Sequence, residues 1–385
     1  MNQDIIYLDH AAATPVDPLV VAAMEPYFSR DFFNPSSPYA PAVRVKQQYR
    51  QAKGQLAQLL GVVADELVMT AGATESVNLA LQAAGGGQCA VSAIEHPSVL
   101  AAAGRHTSPS IIQPDQQGHI TAAAVAASLT PTTSFVSVAL ANHELGVIQP
   151  IEEIARVVQA ERQRRQAQGS TTPLVFHTDA SQAAALLDIK IKRLGVDLLT
   201  LSAAKVYGPK QVGLLWVRPG VRLQPAIIGG GQEGGLRSGT ENVAGVIGFM
   251  TALQLAAKRR KNEVRRLQQL RQALVERLQR AFPDMLLSTD LKKSLVNFLH
   301  VSFPGIDAER LVFWLEAHNV LVATGSACAA NAGTRSHVLE AIGLSSTQID
   351  GSLRLTLGRL NTDGQIQQAA WWIIQAVHTE QERQR

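Results

Sequence analysis

Short runs of apolar and β-branched residues alternate with longer Ala-, Leu- and Gln-rich stretches between about residues 65 and 220. The short runs predict strands at residues 67–70, 89–92, 135–138, 174–177, 198–201 and 213–217. Helical stretches such as 76–84 and 151–168 lie between most of them. This alternation favours βαβ units and a mainly parallel, doubly wound sheet, which is an α/β fold. Because ligands bind at the carboxyl ends of such strands, residues that follow a predicted strand are the first candidates for chemistry.

A different pattern follows in the last third of the chain. A long helical stretch covers residues 241–282, and beyond Pro283 strand-like alternation returns at 295–303 and 352–357. Helical patterns occupy 308–318 and 363–379. We interpret this part as a smaller α+β domain.

Composition narrows the class of protein. Hydrophobic residues make up 46% of the 385 residues and charged residues 17%, which suffices for a substantial core and excludes disorder of the bulk of the chain. The net charge of +4 is too small to favour direct nucleic-acid binding. The longest nearly apolar run, 244–257, is too short to cross a bilayer, and the first residues resemble no signal peptide. With two distant cysteines, Cys89 and Cys328, we expect a reducing, cytoplasmic location.

Two charged residues stand out because each follows a predicted strand. Lys205 comes after the 198–201 strand, beside a Gly-Pro turn, where partial desolvation would favour the neutral amine that forms a Schiff base. Asp179 ends the preceding strand. Each alone has a plain alternative, a surface lysine or an aspartate that caps the next turn. Together they match the lysine and aspartate that hold pyridoxal 5′-phosphate, PLP, in which the aspartate keeps the pyridine nitrogen protonated.

A phosphate cradle would complete such a site. The sequence Thr70-Ala71-Gly72-Ala73-Thr74 joins a strand to a helix, and small residues there leave backbone N–H groups open to an anion. A plain strand-to-helix turn is the equal alternative. Ser202 could donate a hydroxyl to the same phosphate. A formal G-x-G-x-x-G at 229–234 lies late in the chain without the expected acidic residue downstream, so we favour a Gly-rich loop over a dinucleotide site.

Two further residues are candidates for chemistry. Cys328 lies among small residues, which suits an exposed thiol, although an inert loop residue is a serious alternative. His96 follows the 89–92 strand and could stack on a cofactor ring and move protons, or simply cap the strand. The ten histidines show no metal-ligand spacing, so we predict no protein metal site.

These segments together resemble the cysteine desulfurases of the NifS/IscS-like group, within the class-V aminotransferase family of PLP enzymes. The resemblance rests on short pieces in a fixed order, namely YLDHAAATP at 7–15, NPSS at 34–37, GATES at 72–76, EH at 95–96, NHELG at 142–146, DASQ at 179–182, KVYGPK at 205–210, RSGT at 237–240, GSAC at 325–328 and RLTLGR at 354–359.

The resemblance implies the PLP-dependent transferase fold of type I and a role for each matching residue. Lys205 would carry PLP, Asp179 would pair with its nitrogen, and His96 would stack on the ring and act in catalysis. Asn142 and Gln182 would contact the oxygen side of the ring, and Ala73, Thr74 and Ser202 would hold the phosphate. Asn34 and Arg354 would clamp the substrate carboxylate. Thr240 would reach the phosphate of the other subunit of a homodimer, and Cys328 would be the nucleophile that forms a persulfide.

The implied activity is conversion of L-cysteine to L-alanine, with sulfur moving to Cys328 and then to acceptors such as iron–sulfur cluster assembly proteins. We expect a large PLP-binding domain at residues 16–258. The small domain would comprise residues 1–15 and 259–385, with the cysteine loop at about 323–335.

One position departs from the family pattern: Ala204 stands where a phosphate-binding histidine usually precedes the lysine. Loss of that donor would weaken cofactor binding by roughly 1.5–3 kcal/mol if nothing replaces it. The open alternatives are a selenocysteine lyase, another class-V enzyme such as a transaminase, and an inactive PLP-binding scaffold, which Ala204 alone favours.

Overall fold

The computed structural model describes residues 5–106, 108–325 and 335–384 of the chain. In chain order the strands are β1 Ile6–Tyr7, β2 Leu67–Thr70, β3 Gln88–Ser92, β4 Ser110–Ile112, β5 Thr133–Ser137, β6 Val175–Asp179, β7 Leu198–Ser202, β8 Gly213–Val217, β9 Leu286–Leu287, β10 Phe298–Ser302, β11 Val320–Leu321 and β12 Ser352–Thr356. The helices are α1 Pro18–Met24, α2 Pro26–Ser29, α3 Ala40–Leu60, α4 Ala73–Leu81, α5 Pro97–His106, α6 Ala122–Ser128, α7 Ile151–Ala167, α8 Ile191–Leu194, α9 Val243–Ala281, α10 Ala308–Glu316, α11 His337–Ala341, α12 Ser346–Asp350 and α13 Asp363–Arg383.

The central sheet contains seven strands in the order β2-β8-β7-β6-β5-β3-β4. All of them run parallel except β8, which is antiparallel to both β2 and β7. The predicted α/β fold with a mainly parallel sheet is therefore confirmed. Successive residues of β2 enter different apolar clusters, Leu67 and Met69 in one and Val68 in the other. Both faces of the sheet are thus buried, as parallel sheets require.

The rest of the chain forms a smaller antiparallel sheet in the order β12-β10-β9. At the start of the chain β1 pairs in parallel with β11, with Ile6 opposite Val320. This pairing attaches the start of the chain to its C-terminal part. The boundaries of the two domains stay a prediction.

Helix α9, which is 39 residues long, connects the two parts. It packs against α1 and α3 and also against α13. One apolar cluster contains residues as distant in sequence as Ile6, Leu199 and Val377. The two sheets therefore share a continuous core. Across the described ranges, no helix combines the length and the apolar character needed to cross a membrane.

Candidate active site

The carboxyl ends of the parallel strands open into a cavity of about 790 Å³. The turns after β2, β3, β6 and β7 contribute to its wall, and Arg354 reaches it from β12. Eight of the residues predicted from the sequence line it, namely Ala73, Thr74, His96, Asp179, Gln182, Ser202, Lys205 and Arg354. Most of the residues predicted from strand ends and from the family resemblance therefore lie together at one cavity.

Lys205 lies in the single 3₁₀ turn Ala203–Lys205 that follows β7. Its Nζ donates hydrogen bonds to the carbonyl oxygens of Ala11 and Ala12, each at 2.6 Å. These two residues also line the cavity, and they follow β1 in the chain. The amine is thus fixed at the cavity wall by neutral carbonyl groups, where it can meet an aldehyde.

Asp179 ends β6, the strand next to β7. Its Oδ1 accepts a hydrogen bond from the N–H of Ser181 at 2.8 Å, which fixes the carboxylate at the turn. Because Lys205 and Asp179 follow neighbouring strands and line one cavity, the amine and the carboxylate can act on the same ligand.

His96 is held at the same edge by its neighbours. The N–H of Ser98 donates to His96 Nδ1 at 3.1 Å, and the Ser98 hydroxyl lies 2.9 Å from the same nitrogen. The ring contacts His143 edge to face, with 5.0 Å between ring centroids. Burial lowers the pKa of His96, and Lys205 adds to this, whereas the Asp179 carboxylate opposes it. The imidazole is therefore a neutral, oriented ring at neutral pH.

The turn between β2 and α4 has the features of an anion cradle. Gly72 adopts a φ of 133°, which residues with a side chain rarely adopt, and α4 begins at the next residue. Within the described residues, no side chain caps the first N–H groups of α4. Ser202, at the end of β7, lines the cavity beside this helix end. Open N–H groups at the positive end of a helix and a hydroxyl are suitable ligands for a phosphate.

The cradle is braced by two residues whose role sequence reasoning missed. Glu75 Oε2 accepts a hydrogen bond from the Ala71 N–H at 2.9 Å, and Glu75 Oε1 pairs with Arg237 Nε at 2.9 Å. Both residues lie in segments that carried the family resemblance. Only the tertiary structure shows that they meet, because 162 positions separate them.

Arg354, from β12 of the smaller sheet, brings a cation to the cavity wall. Its Nη2 donates to Asp9 Oδ1 at 2.7 Å and its Nη1 to the His143 carbonyl oxygen at 3.2 Å. The residue is 2% exposed, and its Nε has no hydrogen-bond partner among the described residues. A buried donor without a partner is costly, so a bound carboxylate is a favourable occupant at this point.

Other predicted residues lie elsewhere. The Asn142 side chain stays out of the cavity wall formed by the described residues and stabilises a turn, since Nδ2 donates to the Ile94 carbonyl and Oδ1 accepts from the N–H groups of Glu144 and Leu145. Asn34 and Thr240 are exposed. Cys328 belongs to the segment 326–334, which lies outside the described residues. Among those residues, no three histidine, cysteine, aspartate or glutamate side chains are grouped so that they could hold a metal ion.

A family model described as class-V aminotransferase matches residues 6–369. The chain belongs to the class-V aminotransferase family. It is 38% identical to cysteine desulfurase IscS 1 of Archaeoglobus fulgidus over 367 residues, 93% of each chain. A solved NifS-like protein is 29% identical, with a TM-score of 0.88, over 97% of this chain and all of that one. A structure titled SspA in complex with cysteine is 32% identical, with a TM-score of 0.78, over 91% and 98% of the two chains.

The cofactor of this class-V family is PLP, and the cavity provides a ligand for each part of it. Lys205 can hold the aldehyde and Asp179 the pyridine nitrogen. The α4 end and Ser202 can hold the phosphate. The residues present therefore fit the cofactor, except that Ala204, which also lines the cavity, offers no side-chain donor.

Proposed function

We propose that this protein is a PLP-dependent cysteine desulfurase that converts L-cysteine to L-alanine and takes up the sulfur on Cys328. The observation that carries this proposal is that Lys205, Asp179 and Arg354 line one cavity of a class-V aminotransferase. The similarity to proteins named cysteine desulfurase extends over more than nine tenths of the chain, which favours this reaction over simple transamination.

The chain's own residues hold and tune the cofactor. Bound PLP supplies an electron sink for the substrate carbon that loses a proton. Lys205 Nζ would hold it, the Asp179 carboxylate would keep a proton on its nitrogen, and the N–H groups of Ala73 and Thr74 would bind its phosphate. The neutral imidazole of His96 offers a flat face for its ring.

The substrate is oriented by charge and deprotonated by an amine. Arg354 would bind the carboxylate of L-cysteine, with its orientation set by Asp9. The Lys205 amine, in its free neutral form, would accept the proton from the substrate α-carbon. Selenocysteine would satisfy the same contacts, so competition between the two substrates is the measurement that decides between them.

The sulfur step is assigned to Cys328 from the sequence. Its thiolate would attack the sulfur of the substrate, so that an S–S bond forms while the C–S bond breaks. The electron pair of the broken bond stays on the carbon fragment, which becomes alanine after protonation. The persulfide then passes sulfur to an acceptor protein, for which iron–sulfur cluster assembly is the function we propose.

The test is to give L-cysteine and dithiothreitol to the PLP-loaded protein and to quantify alanine and sulfide. Wild type should form both in equal amounts. Cys328→Ala should form sulfide at a small fraction of the wild-type rate, whereas Cys89→Ala, at a buried strand position, should leave the reaction intact. Sulfide release that is undiminished in Cys328→Ala would contradict the assignment of the nucleophile.

A homodimer is part of the proposal. Residues 19–43 expose several large apolar side chains, namely Leu19, Val21, Phe28, Phe32, Tyr39 and Val43. Ile228, in the Gly-rich loop that leads to Thr240, is 89% exposed. Apolar surface of this extent favours coverage by a second copy. Sedimentation of the purified protein should give a dimer, and a monomer at micromolar concentration would contradict it.

A further inference from the structure

A second, smaller cavity lies directly behind Lys205. It has a volume of about 40 Å³, and we call it the rear chamber. Lys205 and Gln182 line both the rear chamber and the large cavity, so these two residues separate them. The far wall includes His10, Asn297 and Arg359.

The rear chamber contains polar atoms that lack partners. His10 is 4% exposed, and neither of its ring nitrogens has a hydrogen-bond partner among the described residues. The same holds for Asn297 Oδ1 and Arg359 Nη2, which are buried and belong to lining residues. Leaving one buried polar group unpaired costs about 1–3 kcal/mol, so four such atoms at one cavity indicate a polar occupant. A chamber of this volume has room for about three water molecules.

Packing fixes the imidazole of His10. A Cβ at Gly358 would lie only 2.4 Å from the ring, so glycine at this position is what allows the imidazole to lie against the backbone of residue 358. The Tyr7 ring contacts His10 edge to face with 4.8 Å between centroids. Burial, with the nearby Arg359 and Arg266 cations, lowers the pKa of His10 to about 4. The ring is therefore neutral at neutral pH, with one nitrogen that donates and one that accepts.

We propose that the rear chamber holds a cluster of ordered waters that exchanges protons with Lys205 Nζ, and that His10 is the positioning residue that holds this cluster. The inference rests on the proposed function, in which the Lys205 amine gains and loses a proton in each turnover. An N–H of the Lys205 ammonium would give its proton to a water in the rear chamber. That water would release one of its own protons to a neighbouring water or to His10. The imidazole can accept a proton at one nitrogen as it releases one from the other, so nothing is oxidised or reduced.

The charges around the rear chamber disfavour an excess proton that stays there, so protons would only pass through it. The residues that face it or interact with its members are mostly cationic or neutral, namely Arg259, Arg266, Arg359, Tyr7 and Tyr207, with Glu263 and Asp17 as the acidic ones. An excess proton would be repelled in these surroundings. The Arg259 side chain is 40% exposed, so this end of the chamber is near solvent and protons have a route out.

The experiment compares His10→Phe, which keeps a flat ring without nitrogens, with His10→Asn, which keeps a donor and an acceptor. Both are loaded with PLP, and exposed His378→Phe serves as a remote control. The first readout is ordered water in the rear chamber at a resolution better than about 1.5 Å. The second is the pH midpoint of the visible absorbance without substrate, and the third is the solvent isotope effect on alanine formation.

We expect about three ordered waters in wild type and fewer in His10→Phe. The absorbance midpoint should move by at least about half a pH unit in His10→Phe and return towards wild type in His10→Asn. The isotope effect should rise in His10→Phe alone. If His10→Phe does not fold, Asn297→Leu, which also removes a polar atom from the chamber, takes its place in all three readouts.

A dry chamber in wild type, or identical midpoints and isotope effects in wild type and His10→Phe, would overturn the inference. So would a His10→Asn variant that behaves like His10→Phe, because the effect would then be one of packing. These results leave the proposed function intact. Wild type that takes up no PLP overturns the proposed function and this inference with it.

Discussion

The guanidinium of Arg354, which lines the cavity, and the carboxylate of Asp9 are 2.7 Å apart, although 345 positions separate them in the chain. Arg354 belongs to β12, and Asp9 follows β1, which reaches this place by pairing with β11. The side chain of Arg354 is 3% exposed and that of Asp9 17%, so the ion pair is largely shielded from water. The smaller sheet thus positions the Arg354 guanidinium at the cavity, which lies at the carboxyl ends of the strands of the central sheet.

Asp9→Asn should weaken binding of the substrate carboxylate. The amide keeps the size of the side chain but removes the charge that orients Arg354, and a charge-assisted hydrogen bond contributes about 1.5–3 kcal/mol. We expect KM for L-cysteine to rise about tenfold or more while kcat changes little. Steady-state kinetics with PLP at saturation is the measurement.

The matched control is Asp188→Asn, which alters an ion pair with Arg260 in which Asp188 is 57% exposed and neither residue lines the cavity. It should leave KM unchanged, because exposed pairs contribute little. If Asp9→Asn also leaves KM unchanged, Asp9 does not orient Arg354 for substrate binding.

Glu95 should make the protein less stable as pH rises. Burial is the main cause that raises its pKa from 4.5 to about 8, and Asp179 adds to this, while the hydrogen bond from the Ala139 N–H opposes it. Between these two values the folded state keeps a proton that the unfolded state has released. The free energy of unfolding therefore falls as pH increases from about 4.5 to 8, by on the order of 3 kcal/mol between pH 5 and 8.

Glu95→Gln should remove this contribution, since the amide does not ionise and can still accept from Ala139. The measurement is urea unfolding of variant and wild type at pH 5 and pH 8, with exposed Glu25→Gln as the control. Buried histidines such as His177, whose pKa burial lowers to about 4, add the opposite trend below pH 6.5 in both proteins. The difference in the free energy of unfolding between wild type and variant therefore isolates the contribution of Glu95. If this difference is the same at pH 5 and pH 8, the role assigned to Glu95 is wrong.

Ala204→His should tighten PLP binding. Ala204 lines the cavity between Ser202 and Lys205, and its carbonyl oxygen is already held by the N–H and hydroxyl of Thr14. A side chain there can change without loss of that backbone contact, and an imidazole can reach a phosphate. We expect Kd for PLP to fall about tenfold, measured by equilibrium dialysis. Ala204→Leu, similar in bulk but without a donor, should not tighten binding, and equal effects of both substitutions would point to packing instead.

The central sheet could be predicted because its signals are local. The strands β2 and β8 have the predicted bounds, and the four others predicted in this sheet differ by no more than two residues at either end. Lys205 and Asp179 were found because parallel strands end at one edge. The long helix α3, in contrast, is rich in polar residues, and its burial depends on packing against α9.

The parts of the site that could not be predicted depend on contacts between distant segments. No local pattern joins Glu75 to Arg237 or Asp9 to Arg354. The basic residues 258–261 lie on α9, and two of them, Arg259 and Arg260, pair with Asp17 and Asp188 of this chain. Such partners become known only when the helices are assembled.

The most direct test of the central claim is to find the lysine that holds the cofactor. Two lysines line the cavity, Lys205 and Lys210, so each is the control for the other. The PLP-loaded protein is reduced with borohydride, digested and analysed by mass spectrometry, in parallel with Lys205→Ala and Lys210→Ala. We expect the reduced cofactor on Lys205 in wild type and in Lys210→Ala, and none in Lys205→Ala. A cofactor attached to Lys210, or retained covalently in Lys205→Ala, would contradict the account.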